Sequence, residues 1–284
     1  METEKAAAFA PGPPPEDADW LARFPVPGHD AHKHERGHAV VLAGRRHATG
    51  AARLTAGAAL RVGAGLVTIA ARRAAADIVA AHVTAVMLRV VDGAQEWRAA
   101  LEALGPAAIA LGPGLDPDAE TREAVGIALD REAPVVLDAG ALTAHAEAAD
   151  GLFDAIGRRD AATVLTPHAG EFARLFGDVP VAEAAARSGA LVVLKGPTTR
   201  FATPDGWEAT SDHGPPWLAT AGTGDVLAGL VTGLLAQGMA PRDAGRAAAW
   251  LHGEAARRLG PGMVADDMDR ALGAVVGECV VRSA

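Results

Sequence analysis

Residues 163–171 read Thr163-Val164-Leu165-Thr166-Pro167-His168-Ala169-Gly170-Glu171. The apolar run ends at Leu165, and Pro167 and Glu171 beyond it are typical of the first turn of a helix. A strand that passes directly into a helix is half of a βαβ unit, in which the strands pair in parallel. Helix initiation does not explain His168, which stands at this junction.

The same alternation of short apolar runs and Ala-rich helical segments continues from His38 onward. It predicts an α/β fold, a three-layer sandwich in which helices cover both faces of a mainly parallel sheet. The predicted strands are 39–43, 66–70, 86–90, 107–111, 134–137, 163–165 and 191–194. The predicted helices include 50–62, 118–130, 181–188, 225–237, 241–259 and 268–281. A hairpin is predicted over 200–209, with Thr203-Pro204-Asp205-Gly206 as its turn.

The composition supports this fold class. Half of the 284 residues are apolar, but only 4% are aromatic and Tyr is absent, which favours Ala-rich helices packed on a sheet over a β-sandwich. Residues 1–36 form a Pro-rich arm that we expect to be loosely ordered and to dock through Trp20, Leu21 and Phe24. Residues 37–284 are predicted to form one domain, because no repeat or low-complexity linker interrupts them.

Charge and cysteine content argue against several functions. The net charge of −9, without a basic stripe, argues against a nucleic-acid partner. The single Cys279 rules out an internal disulfide framework and a paired-cysteine zinc site. No apolar run is long enough to span a membrane and no secretory signal is recognisable, so we predict a soluble, cytoplasmic protein. The histidines between His29 and His38 suggest a metal site or a solvated loop, and the lack of nearby Cys ligands favours the loop.

Glycine or polar side chains follow four successive predicted strands. They are Gly112-Pro113-Gly114, Asp138, His168 and Lys195. Ligands of doubly wound sheets bind at the carboxyl ends of the strands, where these residues are expected to lie. We therefore predict an active-site rim at this edge of the sheet.

Each of these residues also has a structural alternative. The glycines around Pro113 either admit a ligand to the backbone or simply turn the chain. His168 either donates to a phosphate or ribose or is a satisfied structural histidine. Lys195 either binds a nucleotide phosphate, with Gly196 allowing close approach, or is solvated. Asp138 either orders a water bound to metal or phosphate or caps the next helix.

The segment 219–229 contains the candidate base. It reads Ala219-Thr220-Ala221-Gly222-Thr223-Gly224-Asp225-Val226-Leu227-Ala228-Gly229. The backbone N–H groups of Gly222, Thr223 and Gly224 form a candidate anion hole at the positive end of the helix that follows. Asp225 stands beside it as a base, an arrangement suited to chemistry at a terminal phosphoryl group. The alternative is an ordinary Gly-rich turn with an exposed Asp.

Six segments, in this order, resemble the motifs of one known family. They are Ala58-Ala59-Leu60-Arg61-Val62-Gly63-Ala64-Gly65-Leu66-Val67, Leu111-Gly112-Pro113-Gly114-Leu115, Val136-Leu137-Asp138-Ala139, Leu165-Thr166-Pro167-His168-Ala169-Gly170-Glu171-Phe172, Val193-Leu194-Lys195-Gly196 and Gly222-Thr223-Gly224-Asp225. Together they are similar to the ADP-dependent NAD(P)H-hydrate dehydratases, repair enzymes related to carbohydrate kinases and of ribokinase-like fold. The resemblance covers about residues 37–258, and His252-Gly253 agrees with it.

The resemblance implies a lyase that repairs nicotinamide nucleotides. The S-epimer of hydrated NADH or NADPH would be dehydrated at the expense of ADP, giving AMP and phosphate. Asp225 would be the base, and Mg²⁺ would accompany the nucleotide, bound largely through phosphate oxygens. By the same resemblance the nucleotide contacts Lys195, Gly196, Pro197, Thr198, Thr199 and Gly224. The hydrate would be faced by Ala59, Gly114, His168 and Asp225, with Asp138 and Glu171 as candidates for ordering water or metal.

The chain departs from the family's motifs at several positions. Gly140 stands where the family has a second Asp, Asp116 where it has Gly, Ala169 where it has Pro, and Ala221 where it has Gly. Many relatives carry an N-terminal epimerase domain, for which the arm is too short, so a separate epimerase is expected upstream. Family members are commonly homo-oligomers, which we also expect here.

Two other functions use the same residues. A small-molecule kinase of this superfamily would transfer the ATP γ-phosphate to a hydroxymethylpyrimidine or hydroxyethylthiazole, with the same turn and the same Asp225. An inert module that senses adenylates or nicotinamide nucleotides is the second alternative. Retention of Lys195 and Asp225 argues against the sensor, whereas Gly140 argues for it. The order of motifs around His168 and Gly112 favours the dehydratase.

Overall fold

A computed structural model describes residues 12–14 and 18–283 of the chain. In these residues one nine-stranded sheet has the order β3-β2-β1-β4-β5-β6-β7-β8-β9. The strands are β1 (His38–Leu42), β2 (Leu66–Ala71), β3 (Met87–Val90), β4 (Ala108–Leu111), β5 (Val135–Leu137), β6 (Thr163–Leu165), β7 (Leu191–Leu194), β8 (Thr199–Ala202) and β9 (Glu208–Ser211).

The first seven strands pair in parallel, and β8 and β9 add an antiparallel edge. Strand β1 lies between β2 and β4, so the direction in which the chain adds strands reverses at this point. Strands β4, β5, β6 and β7 are neighbours, so the residues that follow them meet at one edge of the sheet. This arrangement confirms the predicted α/β fold with a mainly parallel sheet.

Helices cover both faces of the sheet. They are α1 (Thr49–Arg61), α2 (Arg73–Ala80), α3 (Ala94–Leu104), α4 (Ala119–Leu129), α5 (Ala139–Ala144), α6 (Ala149–Gly157), α7 (Ala169–Phe176), α8 (Val181–Ser188), α9 (Thr223–Ala236), α10 (Pro241–Leu259) and α11 (Met268–Ser283). One apolar core includes α1, α9, α10 and α11, and the other includes α3 to α8. The predicted helices and the hairpin are confirmed, with ends that shift by a residue or two.

Small residues allow α1 and α9 to pack closely. A Cβ atom added to Gly233 of α9 would lie 2.5 Å from the carbonyl oxygen of Ala59 in α1. Ala59 is fully buried at this contact. The small residues therefore let α1 and α9 pack closely along their length, and near the amino end of α9 the Asp225 carbonyl accepts from the Thr55 hydroxyl of α1 at 3.1 Å.

The described part of the N-terminal arm packs on α10. Trp20 is only 2% exposed, and its ring lies 5.7 Å from that of Trp250, measured between centroids. Phe24 is buried beside it, and the Arg23 guanidinium donates to Asp243 at 2.6 Å. The boundary at residues 36 and 37 stays a prediction. Among the residues described, no helix combines the length and apolar character that a bilayer crossing requires.

Candidate active site

An ion pair links the ends of β5 and β7. Lys195 Nζ lies 2.6 Å from Asp138 Oδ1, with the side chains 19% and 2% exposed. Asp138 occupies the N-cap position of α5 but makes no side-chain capping bond, so the capping alternative is not adopted. A buried carboxylate requires a partner of this kind, since an uncompensated charge is costly to bury. The pair fixes the Lys195 ammonium at the rim.

Asp225 lies close enough to this pair for its ionisation to be affected. Burial, which has the largest effect, and the negative charge of Asp138 both raise the pKa of its carboxyl, Lys195 lowers it, and the net pKa is about 6. Near pH 7 the group is mostly ionised and can take up a proton. A pKa just below the working pH is the property that a general base requires.

The turn before α9 presents backbone amides beside Asp225. Gly222 is the N-cap residue at φ +88°, in the left-handed region that glycine tolerates without strain. The Val226 amide donates to the Gly222 carbonyl at 3.2 Å, so the three preceding amides lie in the first turn, which lacks helical partners. The Thr223 hydroxyl fixes the turn by donating to the Leu218 and Thr220 carbonyls, at 2.8 and 3.0 Å. This geometry suits an anion at the helix end.

The phosphate-binding candidates in 195–199 lie next to this turn. A Cβ atom added to Gly224 would lie 3.3 Å from Lys195 Nζ, so the ammonium and the amino end of α9 are adjacent. Gly196 and Pro197 are exposed, and the Thr198 hydroxyl donates to Asp212. Thr199 begins β8. The structure thus brings together Lys195, Gly224 and Asp225, as the sequence predicts.

His168 and Glu171 are engaged with each other at the start of α7. The His168 Nδ1 accepts from the amides of Gly170 and Glu171, at 2.9 and 3.3 Å. Glu171 in turn accepts from the His168 amide at 2.8 Å, and its other oxygen lies 3.2 Å from His168 Nε2. This is a capping box with histidine in the role that Ser or Thr normally fills. The expectation that helix initiation leaves His168 unexplained is wrong.

The close approach to the backbone that the sequence predicts at 112–114 is made by neighbouring loops of the protein. Gly112 has φ +120°, and a Cβ atom there would lie 1.7 Å from the Asp138 carbonyl oxygen. A Cβ atom at Gly114 would lie 2.5 Å from the Ala48 carbonyl oxygen. Gly140 is packed equally closely, because a Cβ atom would lie 2.1 Å from the Leu115 carbonyl oxygen. The rim loops after β1, β4 and β5 therefore touch through their backbones.

Ala59 is not brought to this rim. It is fully buried and contacts α9, so a direct contact with a ligand would require α1 and α9 to separate. The first turn of α1 and the preceding loop lie nearer to the rim, since Ala48 and Ala51 contact Gly114. Arg46 and His47 in that loop are exposed. The sequence predicts rim residues after β4 to β7 but not this loop after β1.

Helix α10 contributes a residue that was given no role from the sequence. His252 is 8% exposed, and its Nε2 atom is buried without a hydrogen-bond partner. Burial lowers the pKa of the ring to about 4, an effect that a hydrogen bond to the Thr223 backbone opposes and the charge of Lys195 reinforces. A neutral imidazole therefore lies against the anion-hole turn near Lys195.

The described residues contain no group of three or more His, Cys, Asp or Glu side chains that could hold a metal ion. Asp225 and Asp138 supply carboxylates near the anion hole, and Lys195 neutralises the latter. A cation there would need most of its ligands from a bound molecule. Mg²⁺ accepts such a donor set, since it commonly binds one or two carboxylates together with substrate phosphates and water.

An α/β sheet of this topology is ribokinase-like, and the helix amino end, the lysine and the carboxylate at one rim form a candidate site for a phosphorylated ligand. The family model of NAD(P)H-hydrate dehydratases matches residues 39–270. The chain belongs to this family.

The chain is also similar in sequence to individual curated proteins. It is 38% identical over 237 residues to the bifunctional NAD(P)H-hydrate repair enzyme Nnr of Mycobacterium tuberculosis, a match that covers 79% of this chain and 46% of that one. The Nnr of Salinibacter ruber is 39% identical over 272 residues, covering 88% and 49%. The chain thus spans about half the length of these curated relatives.

Solved structures agree in fold. The ADP/ATP-dependent NAD(P)H-hydrate dehydratase of Bacillus subtilis, co-crystallised with ATP and Mg²⁺, is 28% identical with a TM-score of 0.79, and the match covers 92% of this chain and 97% of that one. A hydroxyethylthiazole kinase of Pyrococcus horikoshii is 17% identical with a TM-score of 0.59, which shows the shared fold alone.

Proposed function

We propose that this protein dehydrates the S-epimer of NADH or NADPH hydrate, using ADP and releasing AMP and phosphate. The observation that carries the proposal is Asp225, a partly buried carboxylate with a pKa raised to about 6, beside Lys195 at the amino end of α9. This is a base held next to a site for phosphate. Family membership supplies the substrate class.

The reaction needs an acceptor for the hydroxyl proton, an acceptor for the C5 proton and a site for developing negative charge. Asp225 takes the proton of the hydrate's C6 hydroxyl, whose oxygen attacks the β-phosphorus of ADP. A new P–O bond forms while the bond between the β-phosphorus and the bridging oxygen breaks, and AMP leaves. The C6–O bond of the phosphate ester then breaks, the departing phosphate takes up the proton lost from C5, and the C5–C6 double bond of the dihydropyridine is restored. Phosphate carries away the former hydroxyl oxygen.

The surrounding residues stabilise the transferred group. The first-turn amides of α9 and the Lys195 ammonium supply positive potential at the place where charge develops on the phosphoryl oxygens. The neutral ring of His252 lies behind the turn and adds no second charge there. In a partly buried site such preorganised dipoles act more strongly than in water.

Mg²⁺ fits this donor set as a nucleotide-bound ion. When bound, it neutralises phosphate charge and orients the transferred group. Asp225 and Asp138 would be its side-chain ligands, and phosphate oxygens and water would supply the remaining ligands. A role for Glu171 in ordering the ion is disfavoured, because both of its oxygens already contact His168.

Substrate contacts follow from the same geometry. Gly114 and the half-exposed ring of His168 face the rim on the β4 and β6 side, and we propose that the hydrate binds there. For Ala59 we propose an indirect contribution through the α1–α9 contact. A homo-oligomer, a cytoplasmic location and a separate epimerase stay predictions of the sequence.

One incubation distinguishes the dehydratase function from the two alternatives, a kinase and a sensor. The protein is mixed with hydrated NADPH and either ADP or ATP, while near-ultraviolet absorbance and nucleotide products are followed. Recovery of dihydronicotinamide absorbance with stoichiometric AMP supports the dehydratase. Phosphorylation of a small-molecule alcohol by ATP without that recovery supports the kinase, and binding without turnover supports the sensor.

A further inference from the structure

Glu254 of α10 is a buried carboxylate at which three parts of the chain meet. Its side chain has no exposed surface. The backbone amide of Gly12, in the N-terminal arm, lies 3.2 Å from each of its oxygens. His213 Nε2 lies 3.2 Å from Oε2, and Arg258 Nε donates to Oε1 at 2.9 Å. The carboxylate thus joins the arm to the loop that precedes α9.

The loop that contains His213 contacts the candidate nucleotide-binding residues on both of its sides. Asp212, next to His213, accepts from the Thr198 hydroxyl in the loop after β7. On the other side, the hydroxyl of Thr223 donates a hydrogen bond to the Leu218 carbonyl at 2.8 Å. Helix α10 fixes the span between these points, because the guanidinium of Arg257 donates to the His213 carbonyl at 2.7 Å.

The Gly12 contact differs from the apolar anchor of the arm, whose Trp20 packs on Trp250, the ring that stacks on His213. Trp20 and Phe24 are buried in the core. Arg23 binds Asp243 in the first turn of α10, eleven residues before Glu254 and therefore about 16 Å along the helix. A chain that begins at Ala18 keeps this anchor and loses the Gly12 link.

We propose that Gly12, through Glu254 and His213, is a positioning residue for the ADP site. The inference rests on the proposed function, and it concerns a segment outside the family-matched residues 39–270. Without the Gly12 amide, the buried carboxylate loses a donor and turns toward His213 and Arg258. The 212–218 loop is then held less firmly on its His213 side, and ADP must order that side on binding, which weakens affinity.

This coupling is reciprocal. If the arm strengthens ADP binding by a given factor, ADP strengthens the docking of the arm by the same factor.

The test compares two truncated chains, one starting at Pro11 and one at Ala18, each after an initiator Met. We expect the dissociation constant for ADP, measured by calorimetry, to be about tenfold higher for the chain starting at Ala18, an effect of about 1.4 kcal/mol. The KM for the hydrate and the unfolding midpoint are expected to change little. Arg23→Gln is the matched control, because it breaks an arm contact far from Glu254 and leaves ADP affinity unchanged.

A second measurement follows the Gly12 amide itself. Hydrogen exchange of this amide in the full chain is expected to slow when ADP is added, and Glu254→Gln is expected to remove that effect. Combining Glu254→Gln with the Ala18 start should weaken ADP binding less than the sum of the two single effects.

The outcomes separate this inference from the proposed function. If the full chain binds ADP and the two truncated chains bind it equally, the positioning role of Gly12 is wrong and the dehydratase proposal is untouched. If the full chain does not bind ADP at all, the proposed function fails and this inference fails with it.

Discussion

Replacing Asp225 with Asn should make the protein more stable and nearly inactive. The carboxyl pKa is raised from its ordinary value of 3.8 to about 6, chiefly by burial, so the folded state disfavours the ionised form. A difference of this size between folded and unfolded states corresponds to about 3 kcal/mol. Asn keeps the shape of the side chain and removes the charge, so most of this cost disappears.

The sign of the effect depends on pH. The folded protein holds the Asp225 proton to a higher pH than the unfolded chain does, so wild-type stability falls as pH rises from about 4 to about 6. The stabilisation by Asp225→Asn should therefore be absent at pH 3.5 and complete at pH 7.5. For a chain of this size it corresponds to an increase of roughly 6–10 °C in Tm.

The assay is thermal unfolding at both pH values with Asp154→Asn as control. Asp154 is exposed on α6, and its replacement should change stability by less than about 0.5 kcal/mol. Turnover of Asp225→Asn should fall by about 100- to 10,000-fold, the usual contribution of a general base. Equal stability of wild type and variant at pH 7.5, or the same gain at pH 3.5, would show that burial of the charge is not what perturbs Asp225.

The remaining predictions concern the rim. The kcat/KM should fall about tenfold per pH unit below pH 6, because Asp225 must be ionised to accept the proton; a profile that is flat down to pH 5 contradicts this role. Lys195→Met should cost about 3–5 kcal/mol in denaturant unfolding, since it leaves Asp138 buried without its partner. Adding Asp138→Asn should restore most of that stability while ADP binding, measured by titration, stays weak; restored binding would exclude a phosphate role for Lys195. Gly140→Ala places a carbon 2.1 Å from the Leu115 carbonyl oxygen, so the KM for the hydrate should rise and stability should fall by about 1–3 kcal/mol. Gly126→Ala, which meets no neighbouring atom, is the control and should be neutral or slightly stabilising.

The fold follows from local patterns in the sequence to a large extent. Runs such as 191–194 are too short for helices and are bounded by turn residues, so their assignment as strands needs no tertiary information. The sequence also predicts that Gly114, Asp138, His168 and Lys195 lie at one rim, since each follows a successive strand. The observed order, in which β4 to β7 are neighbours, agrees with this prediction. The insertion of β1 between β2 and β4 depends on how the crossover helices pack, which no local pattern encodes.

The site is less predictable where similar residues have different surroundings. Ala59 and Ala51 lie on one Ala-rich helix, and nothing in their neighbours along the chain shows that the first is buried against α9 and the second contacts Gly114. His168 was misjudged because imidazole is an uncommon N-cap acceptor. His252 lies in a helix that is buried on most sides, so its contact with Thr223 is visible only in three dimensions.

The most direct test follows the oxygen atom of the hydrate. NADPH hydrate labelled with ¹⁸O at the C6 hydroxyl is turned over with unlabelled ADP, and the released phosphate and the water are analysed by mass spectrometry. If Asp225 activates that hydroxyl toward the β-phosphorus, each phosphate released carries one ¹⁸O atom. Label in the water, with phosphate unlabelled, would mean that the hydroxyl never becomes bonded to phosphorus and that Asp225 has another role.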